Sequence, residues 1–116
     1  DTSHVLNRIN LGIFDMSDSV LYIMTNDLMD IKNMKTMVSI FKDMGFNKYK
    51  IVLNEARGIN TSYTKEMIED VVMNSIECVI PKSFYIKQIE KYVYNGKIIT
   101  LDKAFSKAIP IFKNIL

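Results

Sequence analysis

Cysteine occurs once in this 116-residue sequence, proline twice and glycine four times. A lone Cys78 excludes a disulfide framework and points to a reducing, cytoplasmic compartment. The scarcity of proline and glycine leaves no linker, and there is no repeat or low-complexity tract, so residues 1–116 read as one unit. No apolar run approaches the ~20 residues that a membrane-spanning helix requires. No signal-peptide pattern is legible. An excess of one charge is also missing: 15 basic and 13 acidic residues give a net charge of +2. That balance leaves no electrostatic footprint for nucleic acid, and none is expected as a partner. His4 is the only histidine and lies far from Cys78, so neither a metal site nor a Cys/His nucleophile is expected. The sequence opens on Asp1-Thr2-Ser3 rather than on Met, as part of a longer polypeptide would, or a processed mature form.

What is present is ordinary for a globular domain: 48% apolar and 24% charged residues. Val5, Leu6, Ile9, Ile13 and Phe14 follow helical spacing over 5–16, and Ser17-Asp18 ends the pattern. "VLYIMT" (20–25) is a continuous apolar run, the mark of a buried parallel strand. Asn26 or Asp27 can cap a helix over 28–44, with Ile31, Met34, Val38, Phe41 and Met44 on its inner face. Gly45 stands where a helix end favours a left-handed residue. "YKIVLN" (49–54) is a second strand, followed by a polar loop over 55–62. Thr64 caps a further helix whose inward residues are expected to be Met67, Val71 and Val72. "ECVIP" (77–81) is a third strand. Ser83 caps a helix through Tyr94, and Asn95-Gly96 ends it. "KIIT" (97–100) is a short extended link. A last helix begins at Asp102, carries Phe105, Ile109 and Phe112, and should be kinked or divided at Pro110.

This αβαβαβαα order predicts an α/β fold, a three-layer arrangement with a short, mostly parallel sheet covered on both faces. Three strands are few for such a sheet, and at least one edge should expose unpaired backbone groups along an apolar strand.

In open α/β sheets, ligands bind beyond the carboxyl ends of the strands. The informative residues are therefore Thr25-Asn26-Asp27, then Asn54, Glu55 and Arg57, then Pro81, Lys82 and Ser83. A buried strand that ends on an asparagine is notable, because an amide both donates and accepts and can read a purine edge. Asn is also a common turn residue, so the position alone decides nothing.

The order and spacing of five stretches carry a resemblance to the carboxyl-terminal half of the ParA/MinD superfamily of P-loop ATPases, in its CpaE/TadZ-like branch. They are "DTSHVLNRINLGIFDMSD", "SVLYIMTNDLMDIKN", "IVLNEARG", "VIPKS" and "YNGKIITLDKAFSKAIPIFKNI". The resemblance implies a partial Rossmann-like P-loop NTPase domain lacking its phosphate-binding half. It implies that Asp1 matches the switch aspartate sensing the γ-phosphate, that Asn54 bonds the adenine, and that Pro81 and Lys82 supply backbone contacts to the same base. ATP and Mg²⁺ are then cofactors of an intact parent, with none expected for this chain alone. The implied partners are a second copy and proteins of a pilus or secretion apparatus, with recruitment to the cell pole or inner membrane face. Four departures stand out, one being Ile98 or Ile99 where the closing segment often has proline. Asn26 replaces a common proline, and Glu55 replaces a common basic residue. No G-x-x-x-x-G-K-[ST] occurs, because the glycines at 12, 45, 58 and 96 never frame a Lys-Ser/Thr pair. A phosphate cradle needs backbone N–H groups in such a turn, so this chain alone is not expected to hydrolyse ATP.

Several features have plainer expectations. Cys78 is expected as a small core residue, and Met29, Met34, Met37 and Met44 as core or a pliable partner surface. Tyr85, Tyr92 and Tyr94 beside Lys87 and Lys91 suit a solvated helix face more than a nucleic-acid surface. The last helix, with Lys103, Lys107 and Lys113, is expected on the sheet, with membrane contact as the alternative. Two further readings compete with the switch ATPase. One is a non-catalytic interaction module on a degenerate ATPase fold. The other is a receiver-like domain, for which Asp27 and Lys82 imitate only part of the pocket.

Overall fold

The computed structural model describes residues 7–55, 63–82, 89–98, 101, 106 and 109–113. Eight elements follow in the order α1 (Arg8–Met16), β1 (Val20–Thr25), α2 (Leu28–Asp43), β2 (Tyr49–Asn54), α3 (Lys65–Val72), β3 (Cys78–Ile80), α4 (Ile89–Tyr94) and α5 (Ile109–Lys113). The strands form one parallel sheet in the order β1-β2-β3. β1 pairs with β2 from Val20↔Tyr49 to Thr25↔Asn54, and β2 continues to β3 from Val52↔Cys78 to Asn54↔Ile80.

Local chemistry sets the helix ends. The Asp27 carboxylate accepts from Met29 N at 2.8 Å and caps α2. Thr64 Oγ1 accepts from Met67 N at 3.3 Å and caps α3. Each satisfies a donor that the first helical turn leaves orphaned. Beyond α2, Gly45 takes φ +66°, and Gly45 N and Phe46 N return to Lys42 O and Phe41 O. α3 stops without a glycine: Met73 itself adopts φ 59°, and its N–H reaches Glu69 O at 2.8 Å. The Glu69 carboxylate then accepts from Ile76 N at 2.6 Å and turns the chain into β3.

The core lies on one face of the sheet. In-register pairing puts Met24, Ile51 and Leu53 on that face, under Phe14 of α1, Ile31, Met34, Met37, Val38 and Phe41 of α2, and Ile68 and Val72 of α3. Phe41 sits edge-on to Phe14 and within 4.7 Å of the Tyr49 ring, and Phe46 stacks on both Phe14 and Tyr49. Each fully buried apolar side chain contributes about 1.5–3 kcal/mol, and this cluster holds most of them.

The opposite face carries Leu21, Ile23 and Thr25 from β1, Lys50, Val52 and Asn54 from β2, and Cys78 and Ile80 from β3. Only its β3 side is covered by a described helix, where Ile111 of α5 packs against Val52 and Cys78. This confirms the terminal helix on the sheet and Cys78 as core. Helices thus lie on both faces, and on the β1 side of this one the described helices leave Leu21 46% and Ile23 54% exposed. Hydrophobicity made these strands, but an apolar run does not report how much of each face is sealed.

Smaller corrections concern the inward faces. In α3 the buried residues are Ile68 and Val72, whereas Met67 and Val71 are exposed. Met34 and Met37 are core, but Met29 and Met44 lie at the ends of α2 and are exposed. Asp27 is the α2 cap, and Asn26 is instead buried. Pro110 is the second residue of α5, within a first turn that tolerates its missing N–H. Ser83, Tyr85, Lys87, Asp102, Lys103, Phe105 and Lys107 lie outside the described residues, as do most of loop 55–62 and the last two residues of 97–100.

Candidate site at the carboxyl ends of the strands

The three strands end on one rung: Thr25 pairs with Asn54, and Asn54 pairs with Ile80. The residues that leave this rung form the crest where an open parallel sheet receives ligands.

At the β1 end the crest is tied down. Thr25 donates its N–H to Asp30 Oδ2 at 3.0 Å and its hydroxyl to the same oxygen. Thr25 Oγ1 accepts from Asp27 N at 3.3 Å. The first turn of α2 is thereby fixed against the strand end, and Asn26 between them is only 8% exposed. Burial, and then the Asp30 carboxylate, hold the neighbouring Tyr22 hydroxyl above its ordinary pKa. A groove of about 440 Å³ runs beside β1 and α2, lined by Tyr22, Asp30, Asn33, Thr36, Met37 and Ile40 among others. Among the described residues no strand pairs with the outer side of β1.

The β2 and β3 ends meet at the Asn54–Ile80 pair. Asn54 is exposed, while Ile51, Val52 and Leu53 before it are buried. Glu55 N donates to Ile80 O at 2.9 Å, which carries the ladder one step past the strands. The next donor, Lys82 N, bonds Glu55 Oε2 at 3.1 Å. Of the sequence-derived site residues, Asn54, Pro81 and Lys82 are thus gathered within the same crest. Asp1 lies outside the described residues. Sequence reasoning placed Glu55 at the strand end and noted it as a departure without giving it a role, and it did not assign the Thr25–Asp30 pair. The available signal for the latter was an acidic residue in the first turn of α2, which the helix dipole also explains.

The remaining chemistry is structural. Burial, with Glu77 adding, raises the Cys78 pKa above its ordinary value, the reverse of what a nucleophile needs, and its sulfur donates to Ile111 O at 3.7 Å. Among the described residues no three His, Cys, Asp or Glu side chains gather to hold a metal ion. No described helix is long and apolar enough to cross a membrane.

No family model matches the sequence. No curated protein matches it either. Solved structures do match the fold, two of them as follows. The MinC:MinD cell division protein complex of Aquifex aeolicus superposes with a TM-score of 0.64 at 18% identity, over 86% of this chain and 42% of that one. A ParA family ATPase from Chlorobium tepidum TLS superposes with a TM-score of 0.56 at 19% identity, over 76% of this chain and 34% of that one. The chain thus spans less than half the length of either neighbour, and over that span it has the partial, Rossmann-like P-loop NTPase fold of the ParA/MinD ATPases.

Proposed function

We propose that this protein is the base-reading part of a ParA/MinD-like nucleotide switch of the CpaE/TadZ-like type, one that positions a pilus or secretion machine in the cytoplasm. The observation carrying it is the exposed Asn54 on the Thr25–Asn54–Ile80 rung, in a fold shared with MinD and ParA. An amide there can accept from a purine amine and donate to a ring nitrogen, so the residues present fit the base. Pro81 and Lys82 flank it from β3. Asp1 is proposed to serve the γ-phosphate and Mg²⁺, and ATP would bring its own phosphate chemistry to a parent that supplies the phosphate loop. Alone, this chain holds the base and does not hydrolyse. Self-association and contact with pilus or secretion proteins, at the cell pole or inner membrane face, complete the proposal. Calorimetric titration with ATP and Mg²⁺ tests it. Asn54→Ala should weaken binding about tenfold, the loss of a bidentate amide contact. An unaltered affinity, or no heat at millimolar nucleotide, removes the proposal.

A second reading has its own observation. The exposed Leu21 and Ile23, beside the bare edge of β1, suit an interaction module that keeps the ATPase fold without the chemistry. Normal partner binding by Asn54→Ala, together with no nucleotide binding, would select it.

A further inference from the structure

The hydrogen bonding at the β2 and β3 ends of the crest assigns a second role there. In a parallel ladder that simply continued, Lys82 N would bond the backbone carbonyl of Glu55, since Glu55 N already bonds Ile80 O. Instead it bonds the Glu55 side chain, at 3.1 Å to Oε2. The carboxylate has taken the place of a backbone rung and spans the gap between the β2 and β3 ends. It lies one residue beyond the exposed Asn54.

We propose that Glu55 is a built-in competitor for the base. This rests on the reading of Asn54, Pro81 and Lys82 as a purine site. A purine seated against Asn54 needs a backbone N–H for one of its ring acceptors, and Lys82 offers one on the β3 side. That donor is engaged by a carboxylate, a stronger acceptor than a neutral ring nitrogen. Binding therefore requires Glu55 to swing away, and the free crest is held in the closed arrangement. A neutral amide at the same position would still accept from Lys82 N, but more weakly than the carboxylate, and would keep only part of the latch. A methyl group would keep none of it. Glu55 thus tunes how readily the base enters, without itself being a contact for it.

The probe is adenosine, which carries no phosphate and isolates the base end. Binding is followed by calorimetry and by amide signals in heteronuclear NMR, on the unaltered protein, Glu55→Ala and Glu55→Gln. Glu55→Ala should bind adenosine about fivefold more tightly than the unaltered protein, the effect expected of removing one modest competing hydrogen bond. Glu55→Gln should fall between the two, since its amide oxygen competes without the charge. Without ligand, hydrogen exchange at Lys82 N–H should quicken most in Glu55→Ala and less in Glu55→Gln. The inference alone is overturned by equal affinities in all three proteins, or by Lys82 exchange that ignores the alanine. Absence of adenosine binding in every protein overturns the purine site and the inference with it, while unchanged circular dichroism shows that each variant is folded.

Discussion

The two faces of the sheet are built from the same strands and have different fates. One face, with Met24, Ile51 and Leu53, is sealed by three helices, and these residues are at most 2% exposed. The other carries Leu21 and Ile23, equally apolar, at 46% and 54% exposure, one strand away from the buried Val52. Strand propensity and face identity are therefore separate properties. The first is a matter of β-branched and aliphatic content, and the second depends on which helices return to which side. The sealed face carries stability. The other face is covered by α5 on its β3 side and exposed on its β1 side.

The sharpest way to break this comparison is to cut equal side chains from each face. Phe41→Ala removes the ring at the centre of the aromatic cluster and should cost about 3–5 kcal/mol. Against a typical margin of about 5–15 kcal/mol that loss is a large fraction of the stability, and urea titration should find a much lower midpoint. Ile51→Ala, fully buried, should cost about 2–5 kcal/mol. Ile23→Ala removes the same atoms on the neighbouring strand and should stay within about 0.5 kcal/mol, the range of exposed substitutions. Matching losses at 51 and 23 would mean that the second face is sealed after all.

A smaller effect concerns association. β1 reads Val-Leu-Tyr-Ile-Met-Thr without a charge or a proline, so it lacks the usual protections of a free edge. Replacing Leu21 and Ile23 together by lysine should leave the urea midpoint nearly unchanged and shift the protein toward monomer in sedimentation velocity. A protein that is already monomeric at high concentration, with β1 amides protected from exchange, would refute the expected self-association.

Sequence made the elements legible where chemistry is local. β1 and β2 are apolar runs bounded by Ser-Asp, Asn-Asp and Asn-Glu, and the structure places both on the expected residues. Thr64 and Gly45 act through neighbours within a turn, and both behave as read. Phase was harder. α3 spans eight residues and contains two apolar i,i+4 pairs, Met67/Val71 and Ile68/Val72, so spacing alone cannot choose between them. Contact with α2 and the sheet chose the second pair. Asn54 was visible at the crest because a polar residue ending a buried strand is itself a local anomaly. The Glu55 bond was not visible, because its partner Lys82 is 27 residues away and contributes only a backbone N–H.

The subtlest prediction joins the sealed face to the crest through Tyr22. Its ring packs on the core, and its hydroxyl pKa is raised by burial and then by Asp30, the carboxylate that also binds Thr25. A phenol whose folded pKa lies above its unfolded value keeps its proton longer in the folded state. Its contribution is fully present below pH 10, the ordinary tyrosine value, and is lost as pH rises through the folded pKa. Stability should therefore fall as pH rises above 10. Tyr22→Phe should flatten that slope and leave the neutral-pH midpoint nearly unchanged, read by urea titrations at stepped alkaline pH. Tyr49 is also raised by burial, so the slope should be reduced and not abolished. If Tyr22→Phe gave the same alkaline slope as the unaltered protein, the ionisation would belong to Tyr49, at the far end of the sheet. The crest would then be electrostatically independent of the core beneath it.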